Sequence, residues 1–132
     1  MANVPRRPST QEREVANLHR GELYLCSFDP TVGYEIKKTR PALVLQNDVG
    51  NRYSPLTIVA AITSAVAPVP YPIEVIVDPS AANGLGVRSS IRLDQIRTVD
   101  RQRLVRRLGL VDSVTMAEVD EALKISLGLI RL

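Results

Sequence analysis

A chain of 132 residues, 45% of them hydrophobic, has the length of one small domain with one core. Seventeen basic against fourteen acidic residues leave a formal charge of +3, a mild lean towards a polyanionic partner. No apolar run approaches the roughly 18 residues of a membrane span. No apolar signal core follows Arg6 and Arg7, and Cys26 stands alone, so neither a leader, an intramolecular disulfide nor a multi-cysteine metal site is expected.

With one Phe, four Tyr and no Trp, the core must be aliphatic, and the cytoplasm is the default compartment. Residues 1–19 are polar and rich in Pro and Arg. They read as a flexible arm, with one possible helical turn over 12–18, ahead of a single domain at 20–132. His19, the only imidazole, sits where arm and domain meet and cannot supply a histidine pair. Residues 20–28 (RGELYLCSF) alternate as a strand does, with Cys26 as a small buried hydrophobe. Asp29-Pro30-Thr31 then turns the chain into a loop of mixed charge carrying Gly33, Glu35, Lys37 and Lys38. That loop is a candidate substrate flap. Pro41 holds Arg40 in extended geometry at its end.

Two short apolar runs follow, at 42–46 and 56–62, separated by the polar bend 47–55. If they pair as antiparallel neighbours, the start of the first lies beside the end of the second. Arg40 and Thr63, with Ser64 next to it, then share one rim of the sheet despite a separation of about 23 positions. Further strands are predicted at 71–77 and at 89–95, with 96–99 continuing after a bend, and a short strand or turn at 104–110. The five arginines between 97 and 107 admit three readings: a phosphate-collecting patch, a solvated face, or a contact for an acidic protein. The clearest helix lies near the C-terminus, where Thr115 and Glu118 have capping-box spacing and Met116, Val119, Leu123, Leu127 and Ile130 recur on one stripe. Short strands without intervening helices favour a compact, strongly bent antiparallel barrel. Several strands are apolar on both sides, which calls for a second layer or a partner subunit.

The chain carries no phosphate-binding loop, dinucleotide fingerprint, metalloprotease histidine pair or nucleophile elbow, and its carboxylates are dispersed. No cofactor and no metal are therefore expected. Phosphodiester cleavage without a metal is open to a protein whose substrate brings its own nucleophile, as RNA does through its 2′-hydroxyl. Arg40, planar and permanently charged, suits the charge that develops on the phosphate oxygens. Thr63 can donate to a non-bridging oxygen, with Ser64 in support. Glu35 can orient Arg40 or take part in proton transfer, or simply form a surface ion pair.

The blocks RGELY at 20–24, DPT at 29–31, GYE at 33–35, RPALV at 40–44 and QNDVGNRYSPLTIVAAIT at 46–63 together resemble the MazF/PemK toxin family. LDQIRTVDRQRL at 93–104 and VDEALKISLGL at 119–129 extend the match to the C-terminus. The resemblance implies a small SH3-like antiparallel β-barrel with a C-terminal helix, homodimeric and inhibited by a cognate antitoxin. It implies a sequence-specific, metal-independent endoribonuclease that cuts single-stranded mRNA and leaves 2′,3′-cyclic phosphate and 5′-hydroxyl ends. The family's catalytic arginine falls on Arg40, its threonine on Thr63 and its loop glutamate on Glu35. Lys37 and Lys38 replace the small residues common in that loop and can add phosphate contacts. In the same picture the 47–55 bend and the 35–39 loop border an RNA groove near the dimer interface, with Tyr53 either stacking on a base or closing the bend, Arg52 touching phosphate or a base edge, and Asn47 either reading a base or making turn hydrogen bonds. Two alternatives remain: a toxin that poisons a topoisomerase through a similar barrel, and an RNA-binding module without catalysis.

Overall fold

The computed structural model describes residues 6–131. Helix α1 (Thr10–Ala16) precedes strands β1 (Glu22–Ser27) and β2 (Thr39–Val44). Helix α2 (Asp48–Tyr53), strands β3 (Leu56–Thr63), β4 (Glu74–Val77), β5 (Ser89–Asp100) and β6 (Leu104–Leu110), and helix α3 (Ser113–Ser126) follow. The 47–55 bend is thus a short helix, started by Asn47, whose side chain accepts from the Gly50 amide at 2.8 Å. The last helix is capped three residues before its expected cap. Asp112 accepts from the Thr115 amide at 2.7 Å, so Thr115 sits inside the first turn rather than capping it.

All six strands form one antiparallel sheet in the order β4-β5-β3-β2-β1-β6. The expectation of a closed barrel is corrected here: β4 and β6 are the two edges, and no ladder joins them. The loop between β4 and β5 bridges the gap instead. The Leu110 amide donates to the Ala82 carbonyl at 2.9 Å, and Gly84 and Gly109 let the two backbones touch. One loop with a single such bond replaces the row of strand hydrogen bonds that closure needs.

Both faces of the sheet are covered by the chain itself, which is why its strands are apolar on both sides. On one face Leu23, Leu43, Ala60, Ile62, Ile91 and Leu93 pack with Val119 and Ala122 of α3. On the other, Tyr24, Cys26, Ala42, Val44, Val59 and Ala61 pack with Val15 and Leu18 from the N-terminal segment and with Phe28 and Ile36 at the root and middle of the flap. Residues 6–19 of the N-terminal segment are therefore held in place. Gln11 donates to the Leu104 carbonyl at 2.6 Å, the Tyr24 hydroxyl to the Glu14 carbonyl at 3.0 Å, and the Arg107 amide to the Glu14 carboxylate at 3.0 Å. The contacts of Gln11 and of the Glu14 carboxylate occupy backbone groups of the edge strand β6, a usual way of blunting a sheet edge. No described helix is long and apolar enough to cross a membrane.

Burial pushes the Cys26 thiol up to about 11 and raises the Tyr24 phenol further still. Both groups ionise more readily in the unfolded chain, so stability is full below the unfolded thiol value and falls as pH rises through and beyond it. Denaturant midpoints should drop above about pH 9, by up to roughly 1.4 kcal/mol per pH unit for each group that ionises only when unfolded. A flat profile between pH 8 and 11 would contradict this burial.

Candidate active site

Arg40 is the second residue of β2 and lies opposite Cys26 of β1. On its other side the β2–β3 register pairs Ala42 with Ala61 and stops there, next to Pro41, which has no amide hydrogen to donate. Continued by two residues, that register sets Arg40 against Thr63. Opposite residues of an antiparallel pair share a face. Arg40 and Thr63 therefore lie on the face of Ala42 and Ala61, at the open end of the hairpin.

Arg40 is exposed, and among the described residues its side chain's only polar contact is from Nε to the Lys37 carbonyl at 3.3 Å, which leaves both terminal nitrogens of the fork without a described partner. Thr63 is half-buried, and its Oγ1 accepts from the Ala65 amide at 3.1 Å. That bond uses one lone pair and leaves the hydroxyl proton free to donate. Ser64 follows the strand and is exposed. One donor fork and one hydroxyl donor, on a water-accessible rim, can bind two oxygens of one phosphate.

The flap closes over the same face. Glu35 does not pair with Arg40: its carboxylate accepts from the Val32 amide at 2.5 Å and caps its own turn. It also lines a cavity of about 180 Å³ with Phe28, Ile36, Ala61, Gln95 and Arg97. Ala61 is two residues before Thr63 on the same face, so this cavity adjoins the rim. Gln95 bridges it, its carbonyl accepting from the Ile36 amide at 3.3 Å and its amide donating to the Tyr34 carbonyl at 3.4 Å. Sequence reasoning missed Gln95, because nothing in a single strand residue announces that a bulge turns it towards a loop 59 residues away. Lys37 and Lys38 are exposed on the flap, and Lys38 holds a positive φ of 67°, uncommon outside glycine, fixed by its amide to Asp29 at 3.0 Å.

The remaining predicted residues are elsewhere. Asn47, Arg52 and Tyr53 belong to α2 and its cap, which join the opposite ends of β2 and β3. At the usual strand rise they lie on the order of 20 Å from Arg40 within one chain. There Arg52 stacks over the Tyr53 ring at 5.3 Å, beside a second cavity bordered by Asn17 and His19. Most of the arginine cluster is engaged within the chain. Arg97 donates to the Phe28 carbonyl at 2.5 Å, and Arg103 to those of Ser27 and Asp29 at 3.1 and 2.6 Å, so both clamp the flap's root. Arg101 ties the Ser54 and Val15 carbonyls at 2.9 and 2.7 Å, and Arg107 pairs with the buried Glu22. Only Arg106 has no polar partner among the described residues. No group of three or more His, Cys, Asp or Glu side chains among the described residues could hold a metal ion.

An open antiparallel sheet flanked by a flap, with an arginine and a threonine on one rim, matches a known class. The model of the PemK-like, MazF-like toxins of type II toxin-antitoxin systems matches residues 19–127. The chain belongs to that family. It is 47% identical over 111 residues to endoribonuclease EndoA of Bacillus subtilis, covering 84% of this chain and 95% of EndoA. Among solved structures, MazF of Deinococcus radiodurans superposes with a TM-score of 0.71 at 32% identity, over 84% of this chain and 96% of that one. A mycobacterial endoribonuclease in complex with its cognate antitoxin gives 0.70 at 25% identity, over 87% and 99%.

Proposed function

We propose that this protein is the toxin of a type II pair, cutting single-stranded mRNA at defined sequences with Arg40 and Thr63 as its catalytic pair. The chain is an endoribonuclease, the activity named for its relatives, and needs no metal for it. The observation that supports this assignment is the β2–β3 register: continued by two residues, it sets Arg40, whose terminal guanidinium nitrogens have no hydrogen-bond partner among the described residues, opposite Thr63 with its hydroxyl proton free.

The RNA 2′-oxygen attacks the adjacent phosphorus while the bond to the 5′-oxygen breaks. The 2′-hydroxyl gives up its proton and the departing 5′-oxygen gains one, which yields a 2′,3′-cyclic phosphate and a 5′-hydroxyl. Arg40 binds the non-bridging oxygens as charge builds on them, and Thr63 donates to one of them. Glu35, freed from its turn as the flap adjusts, takes part in the proton transfer. Lys37, Lys38 and Ser64 hold flanking phosphates, and Gln95 offers an amide to a base edge in the adjoining cavity. Asn47, Arg52 and Tyr53 serve a separate patch, where Tyr53 stacks on a more distant base.

Homodimerisation in the cytoplasm and inhibition by a cognate antitoxin complete the proposal. Support for the dimer comes from a seam where the Leu93 carbonyl accepts from Ser126 of α3 at 2.5 Å and the Leu93 amide donates to Ile73 at 2.9 Å. The segments meeting there carry the exposed Tyr71, Leu127 and Leu129.

The test is incubation of the purified chain with a long single-stranded transcript in excess EDTA. The expected result is a discrete set of fragments whose 5′ ends accept phosphate from a kinase directly. Loss of cleavage on chelation would overturn the proposed chemistry, and intact RNA under all conditions would favour the module that binds without cutting.

A further inference from the structure

Ser90 of β5 is fully buried, and its hydroxyl has no hydrogen-bond partner among the described residues. Buried hydroxyls left unpaired are uncommon in folded proteins and each calls for a reason. The sheet register supplies one. Ser90 pairs with Thr63 across β3 and β5, and with Ile76 of β4 on its other side. Because Arg40 falls opposite Thr63, the residues Arg40, Thr63 and Ser90 form one row across three neighbouring strands, all on one face. Side chains so placed have Cβ atoms about 4.5–5.5 Å apart, within reach of a hydroxyl–hydroxyl hydrogen bond after a rotation about χ1.

We propose that Ser90 is a positioning residue for Thr63, acting through its hydroxyl without touching the substrate. Thr63 Oγ1 has two lone pairs, and the Ala65 amide takes one. As the Thr63 proton turns to a phosphate oxygen, the Ser90 hydroxyl donates to the second lone pair. The threonine hydroxyl is then held from two sides, with its proton pointed at the scissile group. A donor polarised by an incoming hydrogen bond is also a stronger donor. Burial suits this role, since water cannot compete for the lone pair. The neighbouring Arg92 is not available to do the same: Asp94 holds it in two bonds of 2.8 and 2.6 Å, and Glu74 lies 3.3 Å away.

The inference rests on the reading of Thr63 as catalytic, and the experiment separates the two. The cleavage site is first mapped on a long single-stranded transcript. Ser90→Ala and Thr63→Ala are then compared with the parent on a short oligoribonucleotide spanning that site, alongside their thermal midpoints. Ser90→Ala should lower kcat about 3- to 10-fold with KM unchanged, and should leave the midpoint unchanged or raised, because it removes an unpaired polar group. An unchanged kcat in Ser90→Ala overturns the inference, as does a lowered midpoint with full activity, which is what a merely structural serine would give. A rise in KM alone also overturns it, since a positioning group for Thr63 acts in the transition state. If Thr63→Ala cleaves like the parent, the catalytic pair itself fails; if it is inactive while Ser90→Ala is normal, only the role of Ser90 fails.

Discussion

Replacing Arg40 with alanine should reduce cleavage by about 10³-fold or more while leaving the thermal midpoint within a few degrees of the parent. The rate effect follows from removing a charged donor aimed at the developing phosphate charge, where such groups contribute two to several orders of magnitude. The small stability effect follows from exposure: the side chain makes one 3.3 Å bond to the Lys37 carbonyl and buries little. Thr63→Ala should fall by about 10²-fold or more, with a loss of about 1 kcal/mol from the broken Ala65 bond. Arg40→Lys keeps the charge but not the planar fork, and should stay at least about tenfold below the parent. Single-turnover cleavage of a mapped oligoribonucleotide, with circular dichroism to verify folding, measures all three. Full activity in Arg40→Ala would remove the proposed site.

The second large effect concerns stability. A Cβ on Gly84 would lie 2.1 Å from the Leu108 carbonyl oxygen, and one on Gly109 would lie 2.1 Å from that of Ala82. Both obstacles are backbone, so neither can swing aside as a side chain could. Gly84 also has a φ of +68°, where any other residue is strained. Either substitution to alanine must push the β4–β5 loop off β6 and break the Leu110–Ala82 hydrogen bond. A loss of about 3 kcal/mol, or about 10 °C in the thermal midpoint, is expected for each, with faster hydrogen exchange at the Leu110 amide. A shift under 2 °C, on the order of half a kcal/mol, would show that the loop can retreat freely.

These glycines also mark where the sequence stopped being readable. The hairpin was legible because its two runs are short, aliphatic and bounded by polar groups, and one register follows from pairing them. The expectation that Arg40 and Thr63 share a rim came with it. Closure of the sheet was not legible: whether β4 and β6 exchange hydrogen bonds or meet through a loop depends on contacts between residues far apart in the chain. The distance between the two halves of the expected site has a simpler reason. A hairpin's bend joins the ends opposite its open rim, so Asn47, Arg52 and Tyr53 lie away from Arg40 within one chain, and the groove near a dimer interface expected for them is a matter of two chains. The helix hidden in that bend was masked by Gly50 and by turn-forming Asn and Asp, which here cap and fill a single turn and a half. Ser90 gave no sign at all, because a serine in a strand looks the same whether its hydroxyl is paired or not.

The inward-facing arginines change what the charge of the chain means for its substrate. Of the five between 97 and 107, four already grip carbonyls or a carboxylate, which leaves Arg40, Lys37 and Lys38 as the cations free to displace counterions from a bound strand near the rim. Three phosphates neutralised would give a slope of about −2 in log affinity against log salt concentration, a shallow dependence for a basic protein. Such an enzyme holds its RNA by shape and base contacts more than by electrostatic capture, and it would go on finding its sites at ionic strengths that strip non-specific binders from the same message.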